Sequence, residues 1–246
     1  MTVSFIIPFH NEEKNCRQML ENVLTFANSR KLNFEIIPVD DRSSDRTAAI
    51  LRDMSMANKH IRPIFRKKDN MENGNTMGLA LLAGTDKARG EVIIWTMGDM
   101  ADDPETYAEI IKKISRGYDL VFGSRYMPGG SRGNLDPLKA YLSSSGTKLA
   151  RIFFRVPVHD ITNAFRGFKK NIMGKIILEE PGFSISPEFA IKAYLAGFKL
   201  GEVPTVYTNR VKGVSNFKLY KMTRSYLELY LRLYFRLIIQ PLFFKR

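Results

Sequence analysis

Apolar runs alternate with helical patterns through the first half of this chain, and no other feature constrains its fold as tightly. Short apolar runs at residues 3–8, 34–39, 61–66, 92–96 and 119–123 read as strands. Helical patterns at about 11–27, 46–58, 76–89 and 104–115 separate them. This alternation predicts a mainly parallel α/β sheet with helices on both faces. Right-handed crossovers then bring the strand C-termini to one edge, where open α/β sheets bind their ligands. Three strand ends carry polar clusters: Pro8, His10, Asn11 and Glu12; Asp40 and Asp41; and Asp99, Asp102 and Asp103. The last belongs to VIIWTMGDMADDPE, residues 92–105, a buried strand that stops at acids, with Asp103 placed to cap a helix opened by Pro104. Acids there can hold a divalent ion and through it phosphates; the alternative is an acidic turn before a helix. Gly78 and Gly84 inside a helical pattern argue for close packing or a nearby ligand.

With 246 residues, 44% of them hydrophobic, the chain is long enough for one full α/β domain and short for two. A single cysteine, Cys16, precludes an internal disulfide and suits a reducing compartment. His10, His60 and His159 are too scattered for a histidine-built metal site. The net charge of +13 calls for an anionic partner: nucleic acid, an anionic membrane surface or a phosphorylated substrate. No RNA- or DNA-binding module is recognisable, so nucleic acid is not the expected partner. The first residues lack the basic and apolar regions of a signal peptide, and no window is apolar enough for a transmembrane helix.

The second half opens on Gly123-Ser124-Arg125-Tyr126 and a glycine-rich loop at 127–136. Helices are expected at 139–154 and from about 187 to 196, a strand at 202–208, then a basic segment at 210–218. At 221–240, Lys221, Ser225, Glu228, Arg232, Arg236 and Gln240 form one narrow polar stripe on an otherwise apolar helix ended by Pro241. That pattern fits a helix lying in a membrane interface, or one packed on the protein or on a partner subunit.

In order, the chain contains IIPFHNEE, VDDRSSDRT, Gly78-Leu79-Ala80 with Gly84, the acid cluster, GSRY, DITNAFRGF, GFSISPE, EVP and RVKGVSN. Each is weak alone. Together they resemble the family-2 inverting glycosyltransferases of GT-A (Rossmann-like) fold, in particular the branch of dolichyl-phosphate mannose synthases and bacterial polyprenyl-phosphate sugar transferases. The resemblance implies one transferase domain over 1–218, with a nucleotide-sugar half at 1–122 and an acceptor half at 123–218. The amphipathic tail at 219–246 would rest peripherally on the cytoplasmic face of a membrane.

It further implies that Pro8, His10, Asn11, Glu12, Asp41, Gly78 and Asp99 hold the nucleotide sugar. Mg2+ or Mn2+ would accompany it, but the metal motif is degenerate. Met97 and Ala101 occupy ligand positions and offer no hard oxygen. Asp99 survives, with Asp102 or Asp103 as substitutes from the next turn. Arg125, Lys139, Ser143 and Arg210 fall on the positions that bind a polyprenyl phosphate, and together with Asp99 form the expected catalytic set. Lysine at 139 replaces the family's usual arginine and loses its bidentate fork. Asp160, Thr162, Arg166, Glu188 and Ser215 are expected around the acceptor or sugar, with Asp160 and Arg166 as a candidate ion pair. The partners implied are a nucleotide sugar, a polyprenyl phosphate, an anionic membrane surface and a second copy of the chain through the tail helix. Two other functions are compatible with the sequence. One is a sugar-hydroxyl acceptor in polysaccharide or lipopolysaccharide assembly, with Asp160 or Glu188 as base. The other is a non-catalytic nucleotide-binding scaffold, motivated by Met97 and Ala101.

Overall fold

The computed structural model describes residues 1–67, 75–208 and 219–240. Arg210 and Ser215 of the basic segment, and Pro241 after the tail helix, lie outside the described residues. The chain runs β1 (Thr2–Phe9), α1 (Cys16–Ser29), β2 (Asn33–Asp41), α2 (Thr47–Ala57), β3 (Ile64–Arg66), α3 (Met77–Lys87) and β4 (Val92–Trp95). It continues through α4 (Glu105–Ser115), β5 (Leu120–Ser124), α5 (Pro137–Phe154), β6 (Arg166–Lys169), α6 (Ile185–Leu195), β7 (Leu200–Pro204) and α7 (Leu219–Tyr234). The strands form one seven-stranded sheet in the order β3-β2-β1-β4-β6-β5-β7. Only β6 runs against the others among the described strands, pairing antiparallel with both β4 and β5. Trp95 at the end of β4 therefore lies opposite Arg166 at the start of β6. One sheet edge thus gathers the ends of six strands and the beginning of the seventh.

Alternation along the strands divides the core between the two faces. Ile6, Ile37, Val39, Ile93, Trp95 and Phe122 pack with α3, α5, α6 and α7. Phe5, Ile7, Phe9, Ile36, Ile94 and Val121 pack with α1, α2 and α4. The expected doubly covered, mainly parallel sheet is observed. The antiparallel β6 was not expected. It is four residues long and contains Gly167, whose missing side chain admits Ile94 and Ile110. Too few residues remain there for a periodic pattern.

Two glycines predict opposite mutational signs. In the interior of α5, a Cβ on Gly146 would meet nothing closer than 3.5 Å. Gly146→Ala should therefore stabilise the protein by ~0.5–1 kcal/mol, seen as a higher urea midpoint at unchanged m. A Cβ on Gly84 would run into Ile6 Cγ2 and lie 3.0 Å from Val39 Cγ2. Gly84→Ala should lower the same midpoint by the equivalent of ~1–3 kcal/mol.

The tail helix has three sides. Tyr226, Leu229, Tyr230 and Leu233, spaced i, i+3, i+4, i+7, are buried against the domain. Tyr230 donates to Gly146 O at 3.0 Å, and Phe154 lies edge-on to both Tyr230 and Tyr234. The polar stripe is anchored as well: Ser225 meets Ser184, Arg232 pairs with Glu180, and Arg236 reaches Glu179 at 3.4 Å. Tyr220, Leu227, Leu231 and Phe235 remain exposed. Packing on the protein and an outward apolar stripe, which the sequence offered as alternatives, occupy different sides of one helix. No helix among the described residues is long and apolar enough to cross a membrane.

Candidate active site

At the sheet edge, the loops after β1 and β2 cap one another. His10 Nδ1 lies 2.6 Å from Asp41 O, and Asn11 N donates to Ser43 Oγ at 2.9 Å. Asn11 Oδ1 accepts from Ser44 N at 2.7 Å, and Glu12 N donates to Thr47 Oγ1 at 2.9 Å. Glu13 N reaches Asp45 Oδ2 at 3.1 Å, while Arg46 N returns to Glu13 Oε2 at 3.1 Å. The HNEE and DDRSSDRT segments are therefore two halves of one interlock. Glu12 is buried and accepts from Asn15 Nδ2 at 2.7 Å, so its carboxylate helps hold the turn together. Pro8 is buried beside this turn, with its carbonyl against Gly98 of the acid loop.

Asp41 is buried at the end of β2. It accepts from Arg66 Nη1 at 2.6 Å, Thr76 Oγ1 at 2.6 Å and Arg42 Nε at 3.2 Å. Two guanidinium groups thus converge on one carboxylate at this corner of the crevice. The sequence reading did not single out Arg42 or Arg66, although Arg66 ends a strand at the ligand-binding edge. Asp40 points to the other face of the sheet. Burial raises its pKa against hydrogen bonds from Ser43, and one of its oxygens has no hydrogen-bond partner among the described residues.

Left-handed backbone concentrates at the same edge. Asn11 (φ 55°), Arg42 (φ 64°) and Met100 (φ 60°) each follow a different central strand. Such residues cost about 1–3 kcal/mol each and cluster at ligand clamps.

The acid loop does not form the expected metal cage. Asp102 Oδ2 accepts from Met97 N at 2.9 Å and Thr96 Oγ1 at 3.0 Å. Asp103 caps α4, accepting from Glu105 N at 3.1 Å and Thr106 Oγ1 at 3.4 Å. Asp99 accepts from Ala101 N at 3.2 Å. The two substitutes considered for the metal are thus committed to the loop and the helix. No group of three or more histidine, cysteine or acidic side chains disposed to hold a metal occurs among the described residues. Any divalent ion would rest on Asp99 together with the phosphates of a bound nucleotide, as magnesium commonly does on one or two carboxylates.

Desolvation, reinforced by Asp99 and opposed by the bond from Met97 N, pushes the Asp102 pKa up to about 7. A carboxyl whose folded pKa exceeds its unfolded value favours the fold while protonated, and that contribution fades as pH rises through about 7. Asp102→Asn keeps an acceptor and cannot ionise. The variant should gain on the wild type in melting temperature between pH 5 and pH 8, by differential scanning fluorimetry.

Further along the same sheet edge, Arg125 follows β5 and is clamped by Asp160. Asp160 Oδ2 accepts from Arg125 N at 3.2 Å and Nε at 2.7 Å, and Oδ1 from Nη2 at 3.0 Å. Thr162 Oγ1 also accepts from Arg125 Nη2 at 3.1 Å, and Asn163 N donates to Asp160 Oδ1 at 3.2 Å. Asp160 is fully buried, and its charge holds the Arg125 guanidinium protonated far above neutrality. Glu202 on β7 braces this loop from below through His159 N at 2.6 Å and Asp160 N at 3.1 Å. The EVP motif contained that glutamate without revealing its role. Ser143 lies buried on α5, bonded to Tyr126 Oη and to Ala140 O. Lys139 sits one turn earlier on the same helix, partly exposed, its backbone N–H capped by Asp136 at 3.0 Å.

Three expected pocket residues lie elsewhere. Arg166 is fully buried, and among the described residues it forms no ion pair with Asp160 or any other carboxylate. Its donors go to the carbonyls of Ile161, Asn163, Ala164 and Ser186, and its guanidinium sits 4.8 Å from the Phe122 ring. Desolvation lowers its pKa to about 9. Glu188, also fully buried, accepts from Glu179 N, Glu180 N and Lys192 Nζ, bracing residues 179–182. Gly78 faces those same residues: a Cβ there would run into Glu180 O and lie 2.8 Å from Pro181 O.

A model described as glycosyl transferase family 2 matches residues 4–177. The polyprenol monophosphomannose synthase of Mycolicibacterium smegmatis is 29% identical over 216 residues, covering 85% of this chain and 78% of that protein. The dolichol-phosphate mannosyltransferase of Pyrococcus furiosus is 31% identical over 221 residues, covering 89% of this chain and 60% of that protein. The structure of glucosyl-3-phosphoglycerate synthase from Mycobacterium tuberculosis with Mn2+, uridine diphosphate and phosphoglyceric acid aligns at a TM-score of 0.71. It covers 95% of this chain and 78% of that one at 14% identity, a likeness of fold.

Proposed function

The chain belongs to glycosyl transferase family 2, and on that premise we propose that it moves a sugar from a nucleotide sugar to a polyprenyl phosphate at a membrane surface. One observation carries this reading. Arg125, held by the buried Asp160, lies at the same sheet edge as the interlocked turns after β1 and β2. Cation and crevice are suited to an anionic acceptor beside a phosphorylated donor. The names of the two curated relatives support a lipid phosphate as that acceptor.

Residues 1–122 would hold the donor and 123–218 the acceptor, with 219–246 meeting the membrane. An acceptor phosphate is anionic at neutral pH and needs no general base. Its oxygen attacks the anomeric carbon in line, the bond to the nucleotide breaks, configuration inverts, and nucleoside diphosphate leaves. The protein contributes orientation and charge stabilisation. Arg125, Lys139, Ser143 and Arg210 serve the acceptor phosphate. His10, Asn11 and Asp41 shape the donor crevice, with Arg42 and Arg66 holding the Asp41 carboxylate. The described residues hold no preformed metal cluster, and no step is routed through Mg2+ or Mn2+. A sugar-hydroxyl acceptor would need a carboxylate base, and the two candidates, Asp160 and Glu188, are both fully buried and already bonded.

Incubating the protein with labelled nucleotide sugars and undecaprenyl or dolichyl phosphate tests the reading. A sugar-linked lipid phosphate is expected with at least one donor; none with any donor would sink it. The outward stripe of α7, with the exposed Tyr141, Ile152 and Phe153 of α5, supports placement on a bilayer. Leu231→Glu with Phe235→Glu should abolish co-sedimentation with anionic vesicles and leave the melting temperature unchanged.

A further inference from the structure

The buried side of α7 reaches the cluster around Arg125. Gly146 marks the corner: a Cβ there would lie 3.5 Å from Tyr226 Cδ2, 3.6 Å from Thr162 Cγ2 and 3.6 Å from Tyr230 Oη. Thr162 is the residue whose hydroxyl accepts from Arg125 Nη2 at 3.1 Å. Tyr226 thus packs one side chain away from the ion pair of Arg125 with Asp160. Its ring is fixed, 6% exposed and stacked on Tyr230 at 6.4 Å between centroids. The Tyr230 hydroxyl is committed to Gly146 O.

The Tyr226 hydroxyl has no hydrogen-bond partner among the described residues. Neither has Arg125 Nη1, while Nε and Nη2 are both engaged. Asp160 already accepts from Arg125, Thr162 and Asn163. Burial keeps the phenol protonated, and Arg125, Asp160 and Arg166 all act on it electrostatically. Two unused donors, one of them on a guanidinium, make a site for an oxyanion.

We propose that the Tyr226 hydroxyl donates a hydrogen bond to a phosphate held at Arg125, so that the tail helix forms part of the acceptor site. On the reading above, which this inference deepens, that phosphate is the headgroup of the polyprenyl acceptor. Farnesyl phosphate, inorganic phosphate, farnesol and nucleoside diphosphates are titrated by calorimetry into the full chain, its Tyr226→Phe variant and its Tyr230→Phe variant. Tyr226→Phe should raise the Kd for farnesyl phosphate about tenfold, as expected for a hydrogen bond to a charged group. Nucleoside diphosphate binding should not change. Tyr230→Phe, which perturbs the same packing, should leave the farnesyl phosphate Kd at the wild-type value. If the wild type binds farnesyl phosphate but not farnesol, and Tyr226→Phe binds it equally well, the inference falls and the lipid-phosphate reading survives. A Tyr226→Phe effect confined to inorganic phosphate supports the tyrosine's role and removes the lipid. If the wild type binds neither phosphate, both are overturned. A Tyr230→Phe loss equal to that of Tyr226→Phe reduces the tyrosine to packing and overturns the inference.

Discussion

Asp160→Ala should destabilise the protein by about 3–5 kcal/mol and abolish sugar transfer, because it leaves the Arg125 guanidinium buried without its counter-charge. The carboxylate takes three bonds from Arg125 and one each from Thr162 and Asn163. Replacing both members of a buried pair by apolar groups costs far less than breaking it. Arg125→Met combined with Asp160→Ala should therefore recover most of the lost stability in urea unfolding while transfer stays at background. If the double variant were as unstable as the single one, the cost would lie in the loop geometry rather than in the charge. If it transferred sugar, Arg125 would not be the phosphate ligand.

The sheet was legible because strand and helix periods differ and each strand ends in polar residues. Val92 to Trp95 reads as a buried strand from its composition alone, and it sits between β1 and β6. β6 escaped because Arg166, Gly167 and Lys169 give no alternation: the arginine is buried by carbonyl contacts and the glycine by a close approach, neither of which composition signals. α1 begins later than the helical pattern from residue 11 predicts. Asn11 and Glu12 look like a helix N-terminus, yet they cap the turn after β2, and the helix begins at Cys16.

Site residues were harder to sort, since a motif marks a position without saying what the side chain faces. Asp99, Asp102 and Asp103 are neighbours in sequence, but one turn of left-handed backbone at Met100 separates their directions. Asp102 turns back to its own strand end and Asp103 forward to its helix. Glu202 acts through His159 and Asp160, distant in sequence, so local spacing could not have revealed it.

Gly78→Ala is the second large effect expected, and it separates donor-site chemistry from packing. The family resemblance places Gly78 at the nucleotide sugar, whereas its Cα faces the carbonyls of Glu180 and Pro181. Leu79 N donates to Pro181 O at 3.1 Å, and a Cβ on Gly182 would lie 2.9 Å from Asn75 O, so helix and loop approach backbone to backbone. Backbone cannot yield as the end of a side chain can. A single methyl at 78 must displace residues 180–182, at a cost of about 1–3 kcal/mol. The displaced segment is also the anchor of the tail helix, through the pair of Arg232 with Glu180 and the contact of Ser225 with Ser184. The consequence should therefore travel away from the donor crevice. Hydrogen exchange in α7 should accelerate in Gly78→Ala, while the Kd for nucleoside diphosphate changes less than threefold. A variant that lost nucleotide binding with α7 exchange unchanged would instead make Gly78 a direct donor contact.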